Sequence, residues 1–181
     1  LTKDIRQPLQ GKTKAFLKIP NAEIMDIFRK SVVRWFDEQI AVRDRSSLFI
    51  ALWNEDVSSL SELISDLLFE TISYHDYAES FYHAFLAGLF TNAGYIVESN
   101  YESGLGRPDL VIKDKKKRQA VIIEIKIADS MQSLQKSAEK AMDQIEDMRY
   151  ADGIFAQGYQ KVIKYGAAFY RKNCLISKSE V

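Results

Sequence analysis

Asp109, Glu124 and Lys126 are charged residues set in β-branched runs, DLVIKD and QAVIIEIKIA, whose surroundings read as strand interior. Strand interiors disfavour Asp, Glu and Lys, so something must justify three charges there. A turn centred between Lys116 and Lys117 would join the two runs as a hairpin with Asp109 opposite Glu124, Leu110 opposite Ile123 and Ile112 opposite Val121. The period of two then gathers Val121, Ile123, Ile125 and Ile127 on one apolar face and places Glu124 with Lys126 on the other. Carboxylates held about 5 Å apart repel, a neighbouring lysine relieves part of that, and a divalent cation relieves it best. Oxygen ligands alone select Mg²⁺ or Mn²⁺ rather than zinc. Such a cation polarises a phosphodiester oxygen and lowers the pKa of bound water, and a lysine can stabilise the developing charge. The chemistry these residues could do is phosphodiester hydrolysis without a covalent enzyme intermediate. From the three residues alone, an exposed strand face with a cross-strand charge cluster is an equal account.

The elements that must position this trio change in character along the chain. Residues 2 to 9 and 13 to 19 are β-compatible runs around Gln10-Gly11, a hairpin or connector, and Pro20-Asn21 breaks the second run. Residues 22 to 42 carry Ile24, Ile27, Phe28, Val32, Trp35, Phe36 and Ile40 mostly at three- and four-residue steps. Leu60, Ile64, Leu67 and Leu68 repeat that spacing, so both segments read as amphipathic helices. Residues 76 to 93 form a third, aromatic-rich helix closed by Asn92 and Gly94. From residue 95 the period becomes two, and YIVESNYE, DLVIKD and QAVIIEIKIA are successive strands. Helical spacing returns over residues 130 to 149, with Asp129 and Gln132 as a capping-box-like start, and KVIKYGAAFY and NCLIS finish the chain as strands. Helix, three strands, helix, two strands is an α/β sandwich around a mixed sheet.

Composition sets the bounds on function. A chain of 181 residues, 46% hydrophobic and 28% charged, can bury a core and is neither disordered nor collagen-like. The one cysteine, Cys174, excludes an intramolecular disulfide and a cysteine-rich zinc site. No apolar run reaches the roughly 20 residues of a membrane span, and LTKDIRQPLQ lacks an apolar signal core, so the expectation is a soluble, cytoplasmic protein. Lys and Arg number 25 and so do Asp and Glu, which argues against coating nucleic acid by bulk charge. The charge is nevertheless segregated. Residues 46 to 106 hold nine acidic and no basic residues, whereas residues 107 to 181 hold 15 basic and 10 acidic ones.

The string RPDLVIKDKKKRQAVIIEIKIA resembles the PD-(D/E)XK nuclease signature, with Pro108-Asp109, 14 intervening residues, then Glu124-Ile125-Lys126. The wider pattern comprises Glu79 with Tyr82-His83, Tyr101-Glu102-Ser103-Gly104 before Arg107-Pro108-Asp109, and Gln144-Ile145 with Arg149-Tyr150. It is similar to the bacterial nuclease-like domain found C-terminal to an AAA-type ATPase-like domain. The resemblance implies a restriction-endonuclease-like α/β core over residues 73–181, a helical extension over 21–72, and a connector at 1–20 from an ATPase-like domain that this fragment lacks. It implies that Asp109 and Glu124 ligate Mg²⁺ or Mn²⁺ with the Ile125 carbonyl a further ligand, that Lys126 orients or activates the attacking water, and that Glu79 binds the metal directly or through water. Gln144 matches a polar position on the second core helix and can look across the sheet face towards the site. For Glu79 and Gln144 the competing accounts are a solvated helix residue and a helix-surface amide.

Other features carry less chemistry. His75 and His83 are eight apart with no third imidazole, and His83 reads as a hydrogen-bonded helix residue. Gly104 and Gly106 lack the following GK(S/T) of a phosphate loop and read as a tight turn or a close backbone approach. The tip of the KDKKKR turn lies roughly 25 Å along the hairpin from the carboxylates, and a solvated turn is its simpler account. The expected function is a metal-dependent nuclease module acting on DNA or RNA and regulated by the ATPase-like domain. The alternatives are an inactive domain of the same fold that binds nucleic acid, and a protein-interaction module whose acidic middle docks a basic partner or a second copy.

Overall fold

A computed structural model of the chain describes residues 2–6, 14–17, 45–71, 78–99 and 102–179. The helix expected over residues 22 to 42, and His75, lie outside them. Strands β1 (Thr2–Arg6) and β2 (Lys14–Leu17) pair antiparallel as the hairpin read around Gln10-Gly11. The main sheet has five strands in the order β3 (Ile96–Ser99), β4 (Leu110–Asp114), β5 (Gln119–Ile127), β6 (Lys161–Tyr170) and β7 (Asn173–Lys178). Only β5 and β6 run parallel, so the sheet is mixed. Helices α1 (Ser46–Asn54), α2 (Val57–Thr71), α3 (Glu79–Asn92), α4 (Leu134–Asp147) and α5 (Tyr150–Ala156) flank it.

The alternation of side chains divides the core between the sheet faces. On one, Leu110, Ile112, Val121, Ile123 and Ile125 pack with Leu48, Leu52, Leu60, Ile64, Leu68, Phe85 and Leu86 of the first three helices. On the other, Val111, Ala120 and Ile122 pack with Met142, Ile145, Tyr150 and Ile154 of α4 and α5. The β4–β5 register is the expected one, with Leu110 facing Ile123 and Ile112 facing Val121. Ile127, at the end of the stripe, is exposed.

Three departures from the sequence reading have local causes. Helix α1 was not foreseen; it ends where Glu55 turns left-handed at φ 62°, and Asp56 starts α2 by accepting hydrogen bonds from the Ser59 N–H and hydroxyl. The helix expected over 130 to 149 ends at Asp147; Arg149, at φ 52°, separates it from α5, which the sequence reading did not foresee. Its capping box is Ser130 with Ser133 rather than Asp129 with Gln132.

Two close contacts fix the helices on the sheet. The buried stripe of α2, Leu60, Ile64 and Leu68, belongs to the core of the first sheet face, and α2 packs against β7. There the Ser61 and Ser65 hydroxyls accept the Ile176 and Cys174 N–H groups, each at 2.9 Å, so donors of the edge strand are paired by helix side chains. On the opposite face α4 approaches β6 at Gly166, where a Cβ would sit 2.1 Å from the Ala138 carbonyl oxygen. Gly166 lies beside Glu124 in the parallel register, so this contact brings α4 down next to the carboxylate.

Candidate active site

Asp109 is the last residue of a loop anchored before β4 begins. Ser103 and Gly106 exchange backbone hydrogen bonds, and the Leu105 N–H donates to the Met148 carbonyl at 2.8 Å. Gly104 sits at φ +62°, where a Cβ would also come within 2.3 Å of the Arg149 carbonyl oxygen. The tight turn and close approach read from the two glycines are thus both present. The Ser103 hydroxyl donates to the Tyr150 carbonyl at 2.6 Å, tying the loop to α5. On the other side His83 Nε2 lies 2.9 Å from the Asp109 carbonyl oxygen, so His83 is the hydrogen-bonded helix residue expected.

The carboxylates meet as the hairpin register requires. The Ile125 N–H donates to Asp109 Oδ2 at 2.8 Å, and the Asp109 N–H reaches Glu124 Oε2 at 3.4 Å. Lys126 Nζ is 3.0 Å from Glu124 Oε1, and the lysine remains about a third exposed while Glu124 is 2% exposed. Burial first, and the nearby Asp109 charge second, push the Glu124 carboxyl up to about 7, although Lys126 pulls the other way. One ammonium therefore only partly offsets two carboxylates.

Gln144 is half-buried on α4, and its Nε2 donates to the Tyr150 hydroxyl at 3.3 Å. Tyr150 is 2% exposed. Burial raises its phenol, and the charges of Glu124, Asp109 and Lys126 all act on it, so the Gln144–Tyr150 pair borders the carboxylates. Tyr150 is the residue whose place in the site sequence reasoning missed. Its signal was the Arg149-Tyr150 string, and without the helix break at Arg149 nothing turns that ring inward.

Glu79 opens α3 and is exposed. It stands one turn before His83, on the helix side that touches the Asp109 loop. Among the described residues, however, no three His, Cys, Asp or Glu side chains are grouped so as to hold a metal ion, so Glu79 does not join Asp109 and Glu124 in a three-ligand cluster. The reason is topological: α3 packs on the face of Ile123 and Ile125, whereas Glu124 projects towards α4.

The sheet order, the helices on both faces and the charged end of the β4–β5 hairpin define a restriction-endonuclease-like α/β fold with a helical extension preceding it. Residues 77–179 match the PD-(D/E)XK nuclease superfamily, and the chain belongs to it. A search of curated proteins gave no match. Helices α1 and α2 precede the matched segment but share its core.

The donor set suits a hard divalent cation. Two carboxylates and the adjacent Ile125 carbonyl are all-oxygen, and the strain on buried Glu124 is of the kind a cation removes. When bound, such a cation would polarise a phosphoryl oxygen and acidify water.

Proposed function

We propose that this chain is a Mg²⁺- or Mn²⁺-dependent nuclease module that hydrolyses phosphodiester bonds in DNA or RNA. The observation that supports this most is Glu124, 2% exposed yet held against Asp109 with Lys126 on its outer oxygen. A merely structural strand face would gain more from an apolar residue at such a position. In this reading Asp109 and Glu124 hold the cation, and Ile125 fixes Asp109 through its N–H. Lys126, still reachable by solvent, orients the attacking water or stabilises charge on the phosphate. Gln144 borders the same space through its hydrogen bond to the Tyr150 hydroxyl. Glu79 supplies a water-mediated contact from α3. The resemblance of residues 1–20 to a connector supports regulation by an ATPase-like domain in a longer chain.

The test is cleavage of plasmid, linear DNA and RNA with Mg²⁺ or Mn²⁺, in the chain and in its Asp109→Asn variant. Metal-dependent cleavage lost in the variant is the expected result; equal cleavage by both would reject the assignment. A second reading, an inactive domain of this fold that binds nucleic acid or protein, draws on the lack of a third acidic ligand among the described residues. Its mark is salt-sensitive nucleic-acid binding without turnover under any metal.

A further inference from the structure

The β4–β5 hairpin carries the carboxylates at one end and the turn Lys115-Lys116-Lys117-Arg118 at the other, with all four side chains of the turn exposed. Its base is built rather than loose. Asp114 Oδ1 accepts the N–H groups of Lys116 and Lys117 at 3.0 and 3.1 Å, and the nearby Glu98 is held by Lys113, so neither carboxylate is paired with the turn lysines. The Arg118 guanidinium donates twice to the Gly158 carbonyl, and the Gln160 N–H donates to the Arg118 carbonyl at 2.7 Å, clamping the turn to the segment after α5. Beside it lies an open cavity of ≈ 500 Å³ lined by Lys115, Arg118, Gln157, Gly158 and Tyr159.

Four cations elsewhere on the surface are matched, whereas the exposed Lys136, Lys140 and Arg171 stand singly rather than in a run. Arg107 pairs with Glu102, Arg149 with Asp152, Lys161 with Glu55 and Lys164 with Glu146. Among the described residues no ion pair reaches Lys115, Lys116 or Lys117, so the turn is a fixed triplet of uncompensated charge. A paired β-ribbon holds it at a set distance from the carboxylates: five residues at ~3.3 Å give about 17 Å to the last strand pair, and the tip lies at roughly 25 Å. At about 3.4 Å per nucleotide step that is roughly five to seven base pairs.

We propose that this turn is a second backbone-binding site for double-stranded nucleic acid, engaging phosphates roughly five to seven base pairs from the one at the Asp109–Glu124 centre. The proposal rests on the phosphodiesterase reading above and adds the substrate class. A duplex is stiff over this length and keeps two phosphates at a fixed spacing that a rigid ribbon can match, whereas a single strand must be ordered to span it.

The experiment is anisotropy titration of metal-free protein with labelled duplexes of 6, 12 and 24 base pairs and a 24-nucleotide single strand, between 50 and 200 mM salt. The chain is compared with the variant Lys115→Ser, Lys116→Ser, Lys117→Ser. Three lost phosphate contacts should flatten the slope of log K against log salt by about 2.7, so that the unaltered chain loses ~40-fold more duplex affinity across that range than the variant does. The unaltered chain should also weaken sharply on the 6-base-pair duplex, with the variant nearly insensitive to length. Equal slopes and equal length dependence in a chain that still binds and cleaves duplex would overturn the second site and leave the nuclease reading standing. An equal slope change on the single strand would overturn the duplex assignment. Absence of both binding and cleavage in the unaltered chain would overturn both readings.

Discussion

Burial and the Asp109 charge make it costly for Glu124 to ionise, and that cost has a definite sign in pH. A carboxyl raised from its ordinary 4.5 to about 7 binds its proton more tightly in the folded chain. Its contribution to stability is therefore complete below about 4.5 and is lost as pH rises through about 7. In metal-free protein, urea unfolding should give an unaltered-minus-Glu124→Gln stability difference that falls by up to about 3 kcal/mol between pH 4.5 and 8. A difference independent of pH would contradict the burial account. Lys126 allows a separate test at the same scale. Lys126→Met keeps the aliphatic stem but removes the ammonium on Glu124 Oε1, so Mn²⁺ affinity should hold or rise while cleavage falls by roughly 10². Cleavage at the unaltered rate would remove Lys126 from the chemistry. Asp109, Glu124 and Lys126 were legible as a cluster because three charges in β-branched runs violate strand preference together. Tyr150 was not, because its position depends on a left-handed Arg149, a backbone choice that only glycine, and to a lesser degree Asn, announces in sequence.

The elements divide in the same way. Strands β4 and β5 emerged in the right register because a short charged turn and alternating apolar residues leave few other pairings. The break at Arg149 was missed because helical spacing continues across it, and the nine-residue α1 was not read as an element at all. Gly166 was read simply as part of a strand, yet it sets how near α4 comes to Glu124. Gly166→Ala should cost about 1–3 kcal/mol by urea unfolding, since the new methyl must push the Ala138 carbonyl away. A neutral result would mean that α4 can retreat freely, and the site would then lose the support assigned to that contact. At the other edge, replacing Ser61 and Ser65 together by Ala leaves the Ile176 and Cys174 N–H groups without their side-chain acceptors. That should destabilise by roughly 1–3 kcal/mol per group and favour self-association through β7, visible by sedimentation. An unchanged unfolding midpoint would show those bonds to be dispensable.

Across the whole molecule, nine acidic residues without a basic one fall between residues 46 and 106, on α1 to β3 and the loop before Asp109. The basic excess follows, on the β4–β5 hairpin and on β6, β7 and the turn between them, whereas α4 and α5 together hold two lysines and five acidic residues. Nucleic acid should accordingly approach across the basic hairpin, and the acidic α2 surface with Glu62, Asp66 and Glu70 should face away from it. The sequence foretold this polarity but not that α1 and α2 complete the core under the sheet, because the residues they meet are far away along the chain. Every role proposed for the site requires that the Asp109–Glu124 pair take up a divalent cation. Calorimetric titration of metal-free chain with Mn²⁺ at pH 7.5 is the most direct measurement. The account predicts saturable binding at this centre that is abolished in Asp109→Asn, with proton release growing as the pH is lowered through 7 because Glu124 must ionise to bind. Identical heats from the unaltered chain and the Asp109→Asn variant, or no binding by either, would contradict it.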